Sequence, residues 1–190
     1  MTAHDHGRRV GPAPESDPPP GLDPARTALV LIDLMDRLVA LPLAPYPGPQ
    51  VLDAALGLIR AFRAAGAPVV AVRVRRAGAV EQPPGSDLVT EVAAAADLVV
   101  VKHTIGAFQD TGLHQKLQER GVRTLVLGGI ATNLGVESTA RAAADLGYGL
   151  VFAMDAMSGL TAAEHEASVT LDFPRLGTVA KASEVVFAQG

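Results

Sequence analysis

Six short aliphatic runs punctuate this chain: TALVLID (27–33), PVVAVRV (68–74), DLVVVK (97–102), RTLVLGG (123–129), YGLVFAMD (148–155) and GTVAKA (177–182). Unbroken Val/Leu runs, without strict polar alternation, suit strands covered on both faces, and such strands belong to parallel sheets whose crossovers are helices. The segments between the runs have the periodicity those crossovers need. In 51–66, Val51, Leu52, Ala55, Leu58, Ile59 and Phe62 recur at three- and four-residue spacing and Gly66 follows as a C-terminal stop. The same succession of helix, glycine and strand recurs around Leu113–Gly121 and Val136–Gly147. The expected fold is therefore α/β: a doubly wound, Rossmann-like, six-stranded parallel sheet with helices on both faces. Its ligands should gather at the carboxyl ends of the strands.

Composition narrows the function classes. With 190 residues, 48% of them hydrophobic, the chain has the size of one domain with a full core. Residues 1–24 hold six prolines and few large apolar groups, which predicts a flexible or surface-draped arm, with the folded domain over 25–190. His4 and His6 in that arm read as solvated bystanders. A formal net charge of -4 gives no overall attraction for nucleic acid or anionic membrane, and 4% aromatic residues without Trp offer no stacking platform for bases. No apolar run is long enough to span a bilayer and no hydrophobic segment follows Arg8 and Arg9, so a cytoplasmic protein is expected. The absence of cysteine excludes disulfides, thiolate metal sites and a cysteine nucleophile together. Two Pro/Gly-rich connections, Leu41–Gln50 and Arg75–Asp87, are the candidates for loops that shape or cover a pocket.

Chemistry is sought just after each run. Asp33 closes the first, where partial desolvation would raise its pKa and make it a proton carrier; its bland role is to cap a helix. Asp36 reads as a helix-start or surface acid. Lys102 closes the third run, placed to keep a neighbouring carboxylate ionised or to bind a substrate anion. Continued strand alternation would turn His103 to the opposite side, as a structural histidine. The fourth run leads through GGIATNLG into a helix expected to start near Leu134 or Gly135. Its N-terminus suits an oxyanion or carboxylate, or else is simply capped by Asn133.

The blocks LVLIDL, VVVKHTIGAFQDTGL, GGIATNLGVESTARAAADLGY, DAMSG and EHEAS, in this order, resemble the isochorismatase-like hydrolases, also called the cysteine hydrolase superfamily. Within it the chain is similar to a bacterial branch reading ATN-x-GVESTARxA. The resemblance runs from about Thr27 to Val186. It implies an active site made of Asp33, Lys102 and the residue at the start of the helix after the fourth strand. Most members carry a cysteine nucleophile there; this chain has Gly135. True isochorismatases resemble it in having glycine, and they hydrolyse a vinyl ether by protonation and water addition without an enzyme nucleophile. By that analogy Asp33 would act as general acid or base, Lys102 would tune it and hold a substrate anion, and Gly135 would leave room for substrate or water. Ser138 and Thr139, further along the helix, would need a displaced substrate to replace the missing thiol, so helix surface or packing is the expected role.

The resemblance also implies a cis peptide at Ile130–Ala131 that aims backbone N–H groups into the pocket, with Thr132 and Asn133 fixing the turn and Phe108 lining the pocket or packing in the core. Nicotinamidases in the superfamily place a metal near the site using histidines after the first strand. Here no histidine lies between His6 and His103, so neither metal nor cofactor is expected. Arg73, Arg75 and Arg76 could meet a substrate carboxylate or form a solvated rim. Asp155 is expected to end the fifth strand and cap its turn. His165 should sit in a helix opened by a Thr161/Glu164 capping box, in a packing or interface role.

Two readings stand at this point. One is a small-molecule hydrolase working through Asp33 and Lys102 on a vinyl ether, amide or related bond. The other is a non-catalytic binding or regulatory protein that retains the pocket. A homodimer or higher homo-oligomer is expected from the resemblance.

Overall fold

In the computed structural model, which describes residues 21–75, 78–79 and 81–188, six strands form one sheet in the order β3-β2-β1-β4-β5-β6, every pair parallel. The strands are β1 (Thr27–Ile32), β2 (Val69–Val74), β3 (Leu98–Lys102), β4 (Thr124–Ile130), β5 (Gly149–Ser158) and β6 (Thr178–Ala180). The helices are α1 (Asp36–Val39), α2 (Gly48–Ala64), α3 (Thr90–Ala95), α4 (Leu113–Glu119), α5 (Glu137–Asp145), α6 (Ala162–Ala167) and α7 (Phe173–Leu176). Alternate residues of the central strands feed two cores. Leu29, Leu31, Val69, Ala71 and Val126 pack with Val51, Leu58 and Phe62 of α2, while Val30, Ile32, Val70, Val72 and Leu127 pack with Leu113 and Leu117 of α4 and Ala140 and Ala143 of α5. Burial on both faces is why TALVLI is apolar at nearly every position.

The strand order reverses between β1 and β4, so the chain departs from their carboxyl ends in opposite directions and a crevice opens there. The same ends carry Asp33 and the GIATNLG segment.

The fold corrects several local expectations. The connection at 41–50 is shorter than its Pro/Gly content suggested, because Gly48 already opens α2 and Pro49 occupies its first turn, where a missing N–H costs nothing. β3 is not covered on both faces: Val99 and Val101 are exposed, since β3 lies at the sheet edge and the six-residue α3 is too short to cover it. β5 does not end at Asp155 but continues to Ser158 past an irregularity in its pairing with β4 between Leu127 and Gly129. The Asp155 carboxylate instead accepts from the Ala182 N–H at 2.6 Å, satisfying the first turn of the 3-10 helix Ala182–Glu184. Of the expected arm, residues 1–20, with His4 and His6, lie outside the described residues, as does Arg76. Leu22 pairs with Phe187, tying the start of the described chain to its end. Among the described residues no helix is long and apolar enough to cross a membrane.

Candidate active site

Asp33 is the first residue beyond β1 and has a φ of 52°, a left-handed conformation rare for a residue with a side chain but tolerated by Asp. The conformation is held on both sides: the Asp33 N–H donates to the Val72 carbonyl at 2.8 Å, and the Asp33 carbonyl accepts from the Met35 N–H at 2.8 Å. This turn lifts the carboxylate over the end of the sheet. Lys102, the last residue of β3, reaches it with Nζ 2.9 Å from Asp33 Oδ2, and both side chains are buried, at 2% and 7% exposure. Lys102 Nζ also donates to the Ile105 carbonyl, so two acceptors orient the ammonium. Asp33 Oδ1 is buried without a hydrogen-bond partner among the described residues. Burial pushes the Asp33 carboxyl above its ordinary value, and the Lys102 ammonium opposes that rise.

The third position comes from beyond β4. The peptide Ile130–Ala131 is cis, and the chain then enters a π-helical turn, Thr132–Val136, that leads into α5. The helix therefore starts earlier than Leu134, and its N-cap is Ala131 in place of Asn133. The wide turn has the Val136 N–H donating to the Ala131 carbonyl five residues back, a geometry often found at functional sites. Gly135 is buried within it. A Cβ built on Gly135 would stand 3.3 Å from Lys102 Nζ, 3.4 Å from Asp33 Oδ2 and 2.9 Å from Ile32 Cγ2. Three segments distant in sequence thus converge on one point.

A cavity of about 460 Å³ opens at this point. Asp33, Lys102 and Gly135 line it together with Ile130 and Ala131, and its walls are largely apolar, including Leu38, Leu41, Ile105, Leu134 and Leu160. The two long connections each contribute: Leu41 from the first, Arg75 from the second. Sequence reasoning passed over Leu38, Ile105 and Leu160, which carry no chemical signature and reach the cavity only through loop geometry.

Several candidate residues sit elsewhere. Thr132 and Asn133 do not line this cavity: Thr132 Oγ1 shares a 2.8 Å hydrogen bond with His165 Nδ1, and Asn133 Oδ1 is buried without a partner among the described residues. Phe108 stacks on Tyr148 at 6.0 Å between ring centroids and faces a separate hollow that also takes in Ser138. His103 is exposed at the cavity mouth, with Nδ1 3.0 Å from the Arg75 carbonyl oxygen. Strand alternation did not turn it away because β3 ends at Lys102. Arg73 is paired with Asp87, which leaves Arg75 as the described member of the arginine run at the cavity. His165 is buried in α6 against the Tyr46 ring, and the Thr161/Glu164 capping box forms as expected. Among the described residues no group of three or more His, Cys, Asp or Glu is placed to hold a metal ion.

Comparison with known proteins agrees with this architecture. Residues 27–184 match the Isochorismatase domain. The chain is 37% identical over 184 residues to the uncharacterized isochorismatase family protein YecD of Escherichia coli O157:H7, covering 88% of this chain and 98% of that one. It is 35% identical over 151 residues to streptothricin hydrolase of Streptomyces noursei, covering 77% of this chain and 51% of that enzyme. Among solved structures, an isochorismatase family protein from Burkholderia thailandensis superposes with a TM-score of 0.74 at 38% identity, covering 87% of this chain and 96% of that one. The doubly wound sheet, the matched domain and these relatives together show that this chain belongs to the isochorismatase family of hydrolases.

Proposed function

We propose that the chain hydrolyses a small molecule without a covalent enzyme intermediate, with Asp33 as general acid and base and Lys102 as its electrostatic partner. One observation carries the reading: the Cβ direction of Gly135 lies within 3.4 Å of both Lys102 Nζ and Asp33 Oδ2, so the position beside the pair from which a side chain would attack carries none, and the pair itself faces the cavity. Asp33, its carboxyl raised by burial, is suited to hold a proton and release it. On a vinyl ether, protonated Asp33 gives its proton to the alkene carbon. Water then adds to the resulting oxocarbenium carbon and returns a proton to the Asp33 carboxylate, and the hemiketal collapses to a ketone and an alcohol. On an amide, the Asp33 carboxylate takes a proton from the attacking water and passes it to the leaving nitrogen. Lys102 stabilises Asp33 whenever it is ionised, which is between the two proton transfers on a vinyl ether and before and after them on an amide.

The cavity suggests the substrate class. Its walls suit an apolar body, and Arg75 at the mouth suits a carboxylate at the far end from the scissile bond. The proposal includes a cytoplasmic location and at least a homodimer, the latter checked by light scattering.

The test is turnover of a panel of carboxylated vinyl ethers and amides by the parent chain and by Asp33→Asn. Loss of about 10²–10⁴ in rate is expected for the variant. Ligands that bind both proteins with no turnover above the Asp33→Asn control would overturn catalysis and favour a binding protein.

A further inference from the structure

Thr139 is fully buried in α5, and its hydroxyl is engaged twice. It donates to the Gly135 carbonyl at 2.6 Å and accepts from the Ala107 N–H at 3.1 Å. The single O–H proton is therefore committed, which removes Thr139 as a substitute nucleophile. Back-bonding to the carbonyl four residues earlier is common for a threonine in a helix. The bond to Ala107 is different in kind, because it joins α5 to the connection that follows β3.

That connection holds Lys102. It leaves β3 immediately after the lysine and brings the Ile105 carbonyl back to accept from Lys102 Nζ. The Ile105 side chain is 62% exposed and cannot anchor this carbonyl, so its position is set by its neighbours. On one side, Gly106 lies flat against α5: a Cβ there would be 2.8 Å from Ser138 Oγ and 3.4 Å from the Ser138 backbone. On the other, Ala107 is pinned by Thr139 through its N–H and by Thr111 Oγ1, which donates to its carbonyl at 2.6 Å.

We infer that Thr139 is a positioning residue: by pinning Ala107 to the start of α5 it places the Ile105 carbonyl, and with it Lys102 Nζ, against Asp33. One hydroxyl thus ties Gly135 and the lysine to a common point. Released from it, the ammonium would swing on a flexible four-carbon stem with Asp33 as its remaining fixed partner. The inference rests on the reading of Asp33 and Lys102 as a working pair.

Thr139→Val keeps the shape and removes both hydrogen bonds, and Thr139→Ser keeps the hydroxyl. The charged groups acting on Asp33 are Lys102 and Arg37, both of which favour its ionised form. The carboxyl titration of Asp33, followed by carbon-13 NMR in the full chain, therefore reports how closely Lys102 is held. In Thr139→Val the midpoint should move up, and in Thr139→Ser it should stay at the parent value. Gly106→Val, which lifts the same connection off Ser138, should also move it up. If Thr139→Val melts earlier while Asp33 titrates as in the parent, Thr139 only packs and the inference is overturned. If Thr139→Val does not fold, an unshifted midpoint in Gly106→Val overturns it equally. No substrate is needed, so absence of turnover would refute the hydrolytic mechanism while leaving this result to stand or fall separately.

Discussion

Lys102 Nζ lies 2.9 Å from Asp33 Oδ2 although the strands that carry the two residues are not neighbours, β2 running between β1 and β3. Two inter-strand spacings, about 9.5 Å, separate those strands, and the long lysine stem crosses the interval beneath the cavity. Lys102→Met keeps the stem and removes the charge. Burial already raises the Asp33 carboxyl, and without the ammonium it rises further. A carboxyl whose folded pKa exceeds its unfolded value of about 3.9 weakens the fold as pH rises through and beyond that interval. Lys102→Met should therefore lose about 3 kcal/mol near neutral pH and regain part of it as the pH falls and Asp33 takes up a proton. Urea denaturation of parent and variant across an acid-to-neutral pH series checks this, and an equal loss at every pH would contradict it.

Gly135→Ala tests whether the position beside Asp33 and Lys102 tolerates a side chain. Alanine in place of a helical glycine ordinarily adds about 0.5–1 kcal/mol of stability. Here the new Cβ would meet Ile32 Cγ2 at 2.9 Å, and Ile32 is fully buried in β1 with nowhere to go. Overpacking of about 1–3 kcal/mol outweighs the helical gain. A lower denaturation midpoint is expected, with reduced turnover; a variant more stable than the parent would show that Ile32 yields.

Arg75→Ala separates substrate recognition from chemistry. Arg75 is exposed at the cavity mouth, so its contact with a carboxylate is solvent-screened and worth about 1 kcal/mol, or about fivefold in KM. Steady-state kinetics should show that rise with kcat unchanged for carboxylated substrates and no change for uncharged analogues.

His165 supplies a pH dependence remote from the chemistry. Burial lowers its pKa below the ordinary 6.5, with Glu166 opposing, and its Nδ1 is bonded to Thr132 at 2.8 Å. A histidine depressed in the folded state contributes stability that is fully present above its unfolded pKa and is lost as pH falls from there through the folded value. Each unit of depression is worth about 1.4 kcal/mol. His165→Gln, which does not titrate, should show a shallower fall in Tm than the parent below about pH 6.5; identical slopes would place the proton elsewhere.

Much of this protein is legible in order. Uninterrupted apolar runs announce the strands, although the edge strand β3 keeps its run while Val99 and Val101 face solvent, and the helix–Gly–strand succession announces the crossovers. Asp33 and Lys102 stand out as charges at the ends of such runs, and the resemblance of GGIATNLGVESTARAAADLGY points to Gly135 as the third position. What failed were extrapolations of local periodicity beyond an element's end. Alternation put His103 on the wrong side because β3 stops one residue earlier, and capping preferences put a helix start at Asn133 where a π-helical turn already begins at Thr132.

The sequence by itself determined which runs become strands, in what order the strands and helices come, and that no cysteine chemistry operates, since these follow from side-chain identity and period. The tertiary structure alone decided that the Ile105 carbonyl holds Lys102, that Thr139 bridges two crossovers, and that Leu38, Leu41 and Leu160 wall the cavity. Those relationships run through backbone atoms and ordinary apolar side chains, one within a single turn and the others between segments tens of residues apart, and they acquire a role only when the sheet brings their loops to one end.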